Sequence, residues 1–366
     1  MQEENLRHVL AALMVPKIGP VMAKQLIAYC GSPEAIFRQK KGHLQKIPGI
    51  GSKLADSIVS FKDFDRVDKE FEFVKKHKIQ VHYFLDPGYP HRLKEIADAP
   101  VLLFYRGNAD LNASKMLAVV GTRKNTDYGK AHTERLIEAL APLGVTIISG
   151  LAYGIDYYAH KAALENGLPT IGVVGHGLDI IYPATHRSMA AKMVEQGGLL
   201  TEYPSGVQPD RQHFPARNRI VAGLVDGVVL VETGIKGGAL ITADVANSYD
   251  REVFAFPGRT NDEYSAGCNH FIKVNKAFLV EGAEDVVYYM GWEQDKVKTK
   301  ISKSFANLSP EEMKVVGLLK ETNKLDIDQL CEMTGDTISQ ISVLLLDMEF
   351  KGIIQALPGK GYRIAQ

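Results

Sequence analysis

Between residues 116 and 256 the chain passes through six short apolar stretches separated by segments of helical period. They are Met116–Val120, Val145–Ser149, Thr170–Val174, Gly198–Glu202, Val228–Val231 and Val253–Phe256. Each is continuously apolar rather than alternating, which suits strands covered by helices on both faces. Strand and helix taking turns in this way predicts an α/β fold: an extended Rossmann-like, doubly wound, mostly parallel sheet over residues 81–292. Sheets of this kind hold ligands beyond the carboxyl ends of their strands. The polar residues that stand out in this chain follow those strands directly.

The flanks read differently. Residues 1–80 form short helices with two Gly-containing turns, Val15-Pro-Lys-Ile-Gly19 and Ile47-Pro-Gly-Ile-Gly51, each leading into a helix with a Lys near its start. This resembles the helix-hairpin-helix, SAM-like pattern. Its hairpin amides can meet a DNA phosphate, or the pair can serve only as a packing module. Asp86-Pro-Gly-Tyr-Pro90 breaks the helical pattern. A Lys-rich linker is expected at 293–305, and a winged-helix domain at 306–366, opened by Leu308-Ser-Pro-Glu-Glu as a capping box. Its recognition helix, about 337–349, carries no Lys or Arg and ends Asp347-Met-Glu349, which favours protein contact or packing over groove reading.

Formal net charge is +0 over 366 residues, so nucleic-acid binding requires cations clustered on one face. Three separated cysteines, Cys30, Cys268 and Cys331, argue against a disulfide framework or a Cys-based zinc site and suit a reducing cytoplasm. The sequence starts without a signal-peptide pattern and has no apolar run of about 20 residues, so a cytoplasmic protein with no membrane association is expected.

One cluster of the required kind is Arg211-Gln-His-Phe214-Pro-Ala-Arg217-Asn218-Arg219, which packs three guanidinium groups and one aromatic ring into nine residues. Guanidinium groups bind phosphate in a fixed fork, and an aromatic face accepts an unpaired base. The plain alternative is an amphipathic helix with a solvated Arg face. Gly121-Thr122-Arg123 follows the first strand as a tight turn leading to a helix N-terminus, but it is not a dinucleotide fingerprint. Ser149-Gly150 repeats the arrangement after the second strand. There Asp156 with His160 resembles an acid/base pair, although a cap or buried turn acceptor is the stronger reading. His176 and His186 lack ligand-spaced partners, so no metal is expected, and Arg187 beyond them extends the basic surface. Lys236-Gly237-Gly238 forms a further Gly-rich strand-to-helix loop suited to phosphate.

In order and spacing these strings resemble the DNA-processing protein A family (DprA, also called Smf). They are Gly-Thr-Arg, Ser-Gly-x-Ala-x-Gly-Ile-Asp, Ile-Tyr-Pro, Phe-x-x-Arg-Asn-Arg-Ile-x-Ala-Gly-Leu, Gly-Gly-Ala-Leu-Ile-Thr-Ala and Arg251-Glu-Val-Phe-Ala-Phe-Pro-Gly258. The resemblance spans roughly residues 80–290, and the head and tail match accessory domains of longer members. It implies a protein that binds and shields single-stranded DNA during natural transformation and loads the RecA recombinase on it. It also implies a homodimer through the Rossmann-like domain, no catalysis and no cofactor. By the same resemblance Arg123, Arg211, Arg217 and Arg219 are DNA ligands with Asn218, and Phe214 is the base-stacking ring. After Gly267-Cys-Asn269 the chain departs from the family pattern, near the expected dimer contact.

The rival is a nucleotide-processing enzyme of the lysine-decarboxylase-like class, a nucleoside monophosphate hydrolase. Its Pro-Gly-Gly-x-Gly-Thr-x-x-Glu loop has no counterpart at Thr233–Thr242, where the Glu is missing, leaving Glu232 and Asp179 as the available carboxylates.

Overall fold

The computed structural model describes residues 3–292, 308–322, 325–351, 353–357 and 361–364. It divides into two compact units, Met1–Glu293 and Gln294–Gln366. The expected linker at 293–305 lies outside the described residues.

The first unit opens with six helices: α1 (Glu3–Met14), α2 (Pro20–Cys30), α3 (Pro33–Arg38), α4 (Lys41–Leu44), α5 (Ser52–Val59) and α6 (Phe64–Lys76). Local chemistry sets their ends. Pro20 starts α2, the Ser32 hydroxyl accepts the Ala35 N–H at α3, and the Asp63 carboxylate accepts the Arg66 N–H at α6. Their apolar faces bury Leu10, Leu26, Ile36, Ile58 and Val67 in a cluster that continues into Leu151, Val174, Leu178 and Leu199 of the sheet region. Head and sheet therefore share one core.

A nine-stranded sheet follows: β1 (Gln80–Tyr83), β2 (Leu102–Gly107), β3 (Met116–Val120), β4 (Thr146–Ser149), β5 (Thr170–Val173), β6 (Gly197–Thr201), β7 (Gly227–Leu230), β8 (Glu252–Ala255) and β9 (Phe278–Leu279). The connecting helices are α7 (His91–Lys94), α8 (Asp127–Leu140), α9 (Ile155–Glu165), α10 (Arg187–Gln196), α11 (His213–Gly223), α12 (Gly238–Ser248), α13 (Ala266–Lys273) and α14 (Ala283–Tyr289). Spatial order is β1-β2-β6-β5-β4-β3-β7-β8-β9. β6 to β9 run parallel, whereas β1 and β2 join antiparallel at one edge. All six expected strands are present. The two antiparallel strands were not expected: β1, Gln-Val-His-Tyr, has no apolar run to announce it. From β3 the chain winds first towards β6, then returns to β7 on the other side. The β3/β7 junction is thus the switch point, where loops diverge and leave a crevice.

The second unit contains α15 (Pro310–Thr322), β10 (Leu325–Asp326), α16 (Ile327–Thr334), α17 (Ile338–Phe350), β11 (Ile354–Leu357) and β12 (Gly361–Ile364), with strand order β10-β12-β11. The capping box at α15 forms: Glu312 N–H donates to Ser309 Oγ (3.2 Å) and Ser309 N–H to Glu312 Oε2 (2.7 Å). α17 buries Ile341, Leu345 and Met348 and exposes Val343, Leu346 and Phe350.

Candidate nucleic-acid interface

The switch point is pinned by backbone and one buried carboxylate. Thr122 N–H donates to the Glu232 carbonyl (2.7 Å), tying the end of β3 to the end of β7. The Glu232 carboxylate accepts the Thr126 N–H (2.9 Å) and the Thr126 hydroxyl (2.5 Å) just ahead of α8. Both its oxygens serve the turn, which holds Arg123 out over the crevice. Gly154, at φ +78°, lets the next loop close against this turn, since a Cβ there would lie 2.2 Å from the Thr122 carbonyl oxygen.

Beneath the turn lies a buried ionic layer. Asp156 accepts the Ala152 N–H (3.4 Å), and a Cβ on Gly150 would sit 2.3 Å from its Oδ2 and 2.7 Å from the Arg217 guanidinium nitrogens. Arg217, 6% exposed, donates Nη1 to the Val173 carbonyl. Burial raises the Asp156 pKa and lowers that of Arg217, and each charge opposes the other's shift. His160 does not pair with Asp156. Its Nε2 donates to the Gly150 carbonyl (2.9 Å) and its Nδ1 meets the Thr170 hydroxyl (2.7 Å), while burial lowers its pKa to about 4. It is a neutral brace between β4 and β5.

Above this layer α11 presents Phe214. The Arg123 guanidinium lies over one side of its ring, 5.5 Å from the centroid, and Tyr182 stacks at 6.0 Å and 30°. A cleft of about 770 Å3 runs from here past Gly121, Thr122 and Gly150 to the N-terminal turn of α12. Arg123, Lys124, Arg211 and Arg217 line it against one carboxylate, the buried Asp156. Among the described residues neither Arg123 nor Arg211 has an ion-pair partner, which leaves their forks available to an anion. A smaller recess of about 90 Å3 opens beside it between Tyr153, Tyr182 and Phe214, floored by His176 and Arg217.

The structure thus brings together Gly121, Thr122, Arg123, Gly150, Arg211, Phe214, Arg217, Asn218, Gly237 and Gly238 on one cleft. Three expectations need correction. Arg217 belongs to the internal ionic layer rather than to a solvated phosphate track. Arg219 faces away and pairs with Glu202, with Asp98 at 3.9 Å. Ser149 is fully buried and donates its hydroxyl to the Val119 carbonyl (2.7 Å), so it cannot reach a phosphate. Arg187 and Lys236 are exposed but lie outside the cleft lining. Tyr182, Tyr153 and Lys124 were missed. The two tyrosines sit half-exposed in loops after β4 and β5, and no local sequence pattern marks them.

Comparisons with known proteins match all three regions of the chain. The family model described as DNA recombination-mediator protein A matches residues 80–291; those described as SAM-like helix-hairpin-helix tandem and DprA winged helix domain match 9–61 and 303–360. Protein Smf of Synechocystis is 31% identical over 99% of this chain and 100% of its own length. DNA processing protein DprA of Streptococcus pneumoniae is 44% identical over 62% of this chain and 77% of its own. The X-ray structure of S. pneumoniae DprA superposes with a TM-score of 0.68 at 35% identity, covering 79% of this chain and 98% of that one. A Helicobacter pylori DNA processing protein A, whose structure concerns its single-stranded DNA binding mode, has a TM-score of 0.53 at 30% identity over 58% of this chain and 97% of that one.

Proposed function

Since the chain belongs to the DNA recombination-mediator protein A family, that of DprA and Smf, we propose that it binds single-stranded DNA in the switch-point cleft without catalysing a reaction on it. The observation that carries the reading is the Arg123–Phe214 pair beside Arg211: a cation for phosphate and a ring for a base, converging where the fold opens. Stacking contributes roughly 1–3 kcal/mol per base with little sequence preference, and the cations add a salt-dependent attraction. Arg123, Arg211, Phe214 and Asn218 are the proposed ligands, with Lys124 in the lining and Arg187 and Lys236 on the flanks. Gly121, Thr122, Gly150, Gly237 and Gly238 line the cleft, and at Gly238, where a Cβ would meet nothing within 4 Å, the phosphodiester chain can approach the backbone.

The matched family's description as a recombination mediator, and the single-stranded DNA named for the H. pylori relative, support a role in natural transformation: holding the incoming strand and loading RecA on it. The sheet edge supports a homodimer through the Rossmann-like domain. β9 leaves Phe278 and Leu279 exposed, with Tyr289 stacked on Phe278 at 4.5 Å. A cytoplasmic location goes with this role; among the described residues no helix is long and apolar enough to cross a membrane. The hydrolase reading finds little support, because Glu232 is committed to Thr126 and Asp179 accepts the Gly206 N–H (3.0 Å).

The test is an electrophoretic shift of single-stranded against duplex DNA, with nucleoside monophosphates incubated in parallel. Preferential retardation of the single strand, lost in Arg123→Ala and Arg211→Ala, is expected. Unchanged retardation in both variants, or release of free base, would sink the reading.

A further inference from the structure

The segment that carries the chain from β6 into α11 is held from the helical head. Glu70 of α6, 1% exposed, accepts the Ser205 N–H (2.9 and 3.0 Å to its two oxygens) and the Ser205 hydroxyl (2.5 Å). Arg66, one turn earlier, donates to Glu70 (3.1 Å) and to the Ser205 carbonyl. Every polar group of Ser205 is thereby taken up by one ion pair on a helix of the head. The opposite side of the segment is fixed by the sheet region: Gly206 N–H donates to Asp179 Oδ1 (3.0 Å), Gly177 N–H to the Val207 carbonyl (3.0 Å), and Tyr203 stacks on His213 at 4.5 Å. Asp210 then accepts the Gln212 N–H (2.8 Å) as the chain turns into α11. Arg211 and Phe214 follow within this same restrained stretch.

Apolar packing alone would hold head to sheet, and the shared core already does so. A buried carboxylate adds adhesion poorly, because its desolvation offsets much of the attraction, but it defines geometry well. Its bonds to one loop residue set where that loop stands.

We propose that the Arg66–Glu70 pair is a positioning device for the single-strand cleft, seating Ser205 and so setting where Arg211 and Phe214 stand. The inference rests on the cleft being the DNA site. The head then acts on DNA binding through the loop that it clamps, without contacting the strand.

The test uses the full chain with a fluorescein-labelled oligothymidylate, read by anisotropy, alongside hydrogen exchange of peptide 203–212. Glu70→Gln and Ser205→Ala are each expected to weaken binding about tenfold and to speed exchange in that peptide; Ser205 lies in a loop, so its variant spares the folding of the head. Ser205→Thr, which keeps the hydroxyl, is expected to restore most of the affinity. In an Arg211→Ala/Phe214→Ala background the Glu70→Gln effect should shrink below about twofold, because its route to the strand is gone. Wild-type affinity despite faster exchange, or an undiminished tenfold loss in that background, would overturn the proposal while leaving the cleft intact. Arg123→Ala binding as wild type would instead bring down the cleft itself and this proposal with it.

Discussion

The Arg123 guanidinium stands 5.5 Å from the centre of the Phe214 ring, joining the turn after β3 to the first turn of α11. Cation and ring face the same crevice, so a nucleotide bound there meets both: phosphate at the fork, base at the ring. Their separate chemistries should be separable by salt. Arg123→Ala is expected to lower the magnitude of the log-affinity against log-salt slope by about 0.7, the value for one phosphate contact on a single strand. Phe214→Ala should weaken binding by roughly 1–3 kcal/mol and leave that slope unchanged. Anisotropy titrations across a salt series decide it; a slope change in Phe214→Ala would mean that the ring does not act by stacking.

Arg219 should behave differently from its neighbours. It pairs with Glu202, a largely buried carboxylate whose pKa burial raises and Arg219 opposes. Arg219→Ala strands that charge, at a cost of about 3–5 kcal/mol. The expected outcome is a lower unfolding midpoint with single-strand affinity of the folded protein near wild type. Severe loss of affinity at unchanged stability would return Arg219 to the DNA surface.

Much of this site was legible before the fold was known, and the helical spacing explains the part that was not. Parallel α/β winding sends every strand-to-helix loop to one sheet edge, so Arg123, Arg211 and Gly237 had to converge. The Arg217-Asn218-Arg219 run hid a further distinction. Residues two apart on a helix point to different faces, and Phe214, Arg217, Asn218 and Val221 fall at i, i+3, i+4 and i+7. Those four line the cleft, and Arg219 is off the stripe. The periodicity could have set Arg219 aside. It could not have shown Arg217 buried, which depends on the Asp156 carboxylate of α9 and the Val173 carbonyl of β5. Tyr182 was equally hidden, since its contact with Phe214 is set by loop geometry rather than by any local pattern.

Stability should fall on acidification because of His160. Its folded pKa, about 4, lies below the ordinary histidine value, so the unfolded chain binds the proton first. Stability is therefore full above about pH 6.5 and declines as pH drops towards 4, by up to roughly 3 kcal/mol. Denaturant midpoints of wild type and His160→Gln should converge across that window as the wild-type advantage disappears. Parallel pH curves for the two proteins would show that His160 is not held neutral.

The exposed β9 edge gives the proposed dimer its sharpest test. An unpaired strand offers free backbone groups, and here Phe278 and Leu279 add apolar surface with Val274 and Tyr289 close by in sequence or in space. Charge on that edge disfavours pairing, so Leu279→Asp is expected to halve the mass seen by light scattering without shifting the unfolding midpoint of the monomer. The cleft lies at the β3/β7 junction, two strands inward, so affinity for a strand short enough to fill one cleft should stay the same. Affinity for a longer strand should fall more than tenfold, because two linked clefts bind one strand with an effective concentration that separated monomers lack. A Leu279→Asp protein that kept the wild-type mass would place the contact elsewhere on the surface.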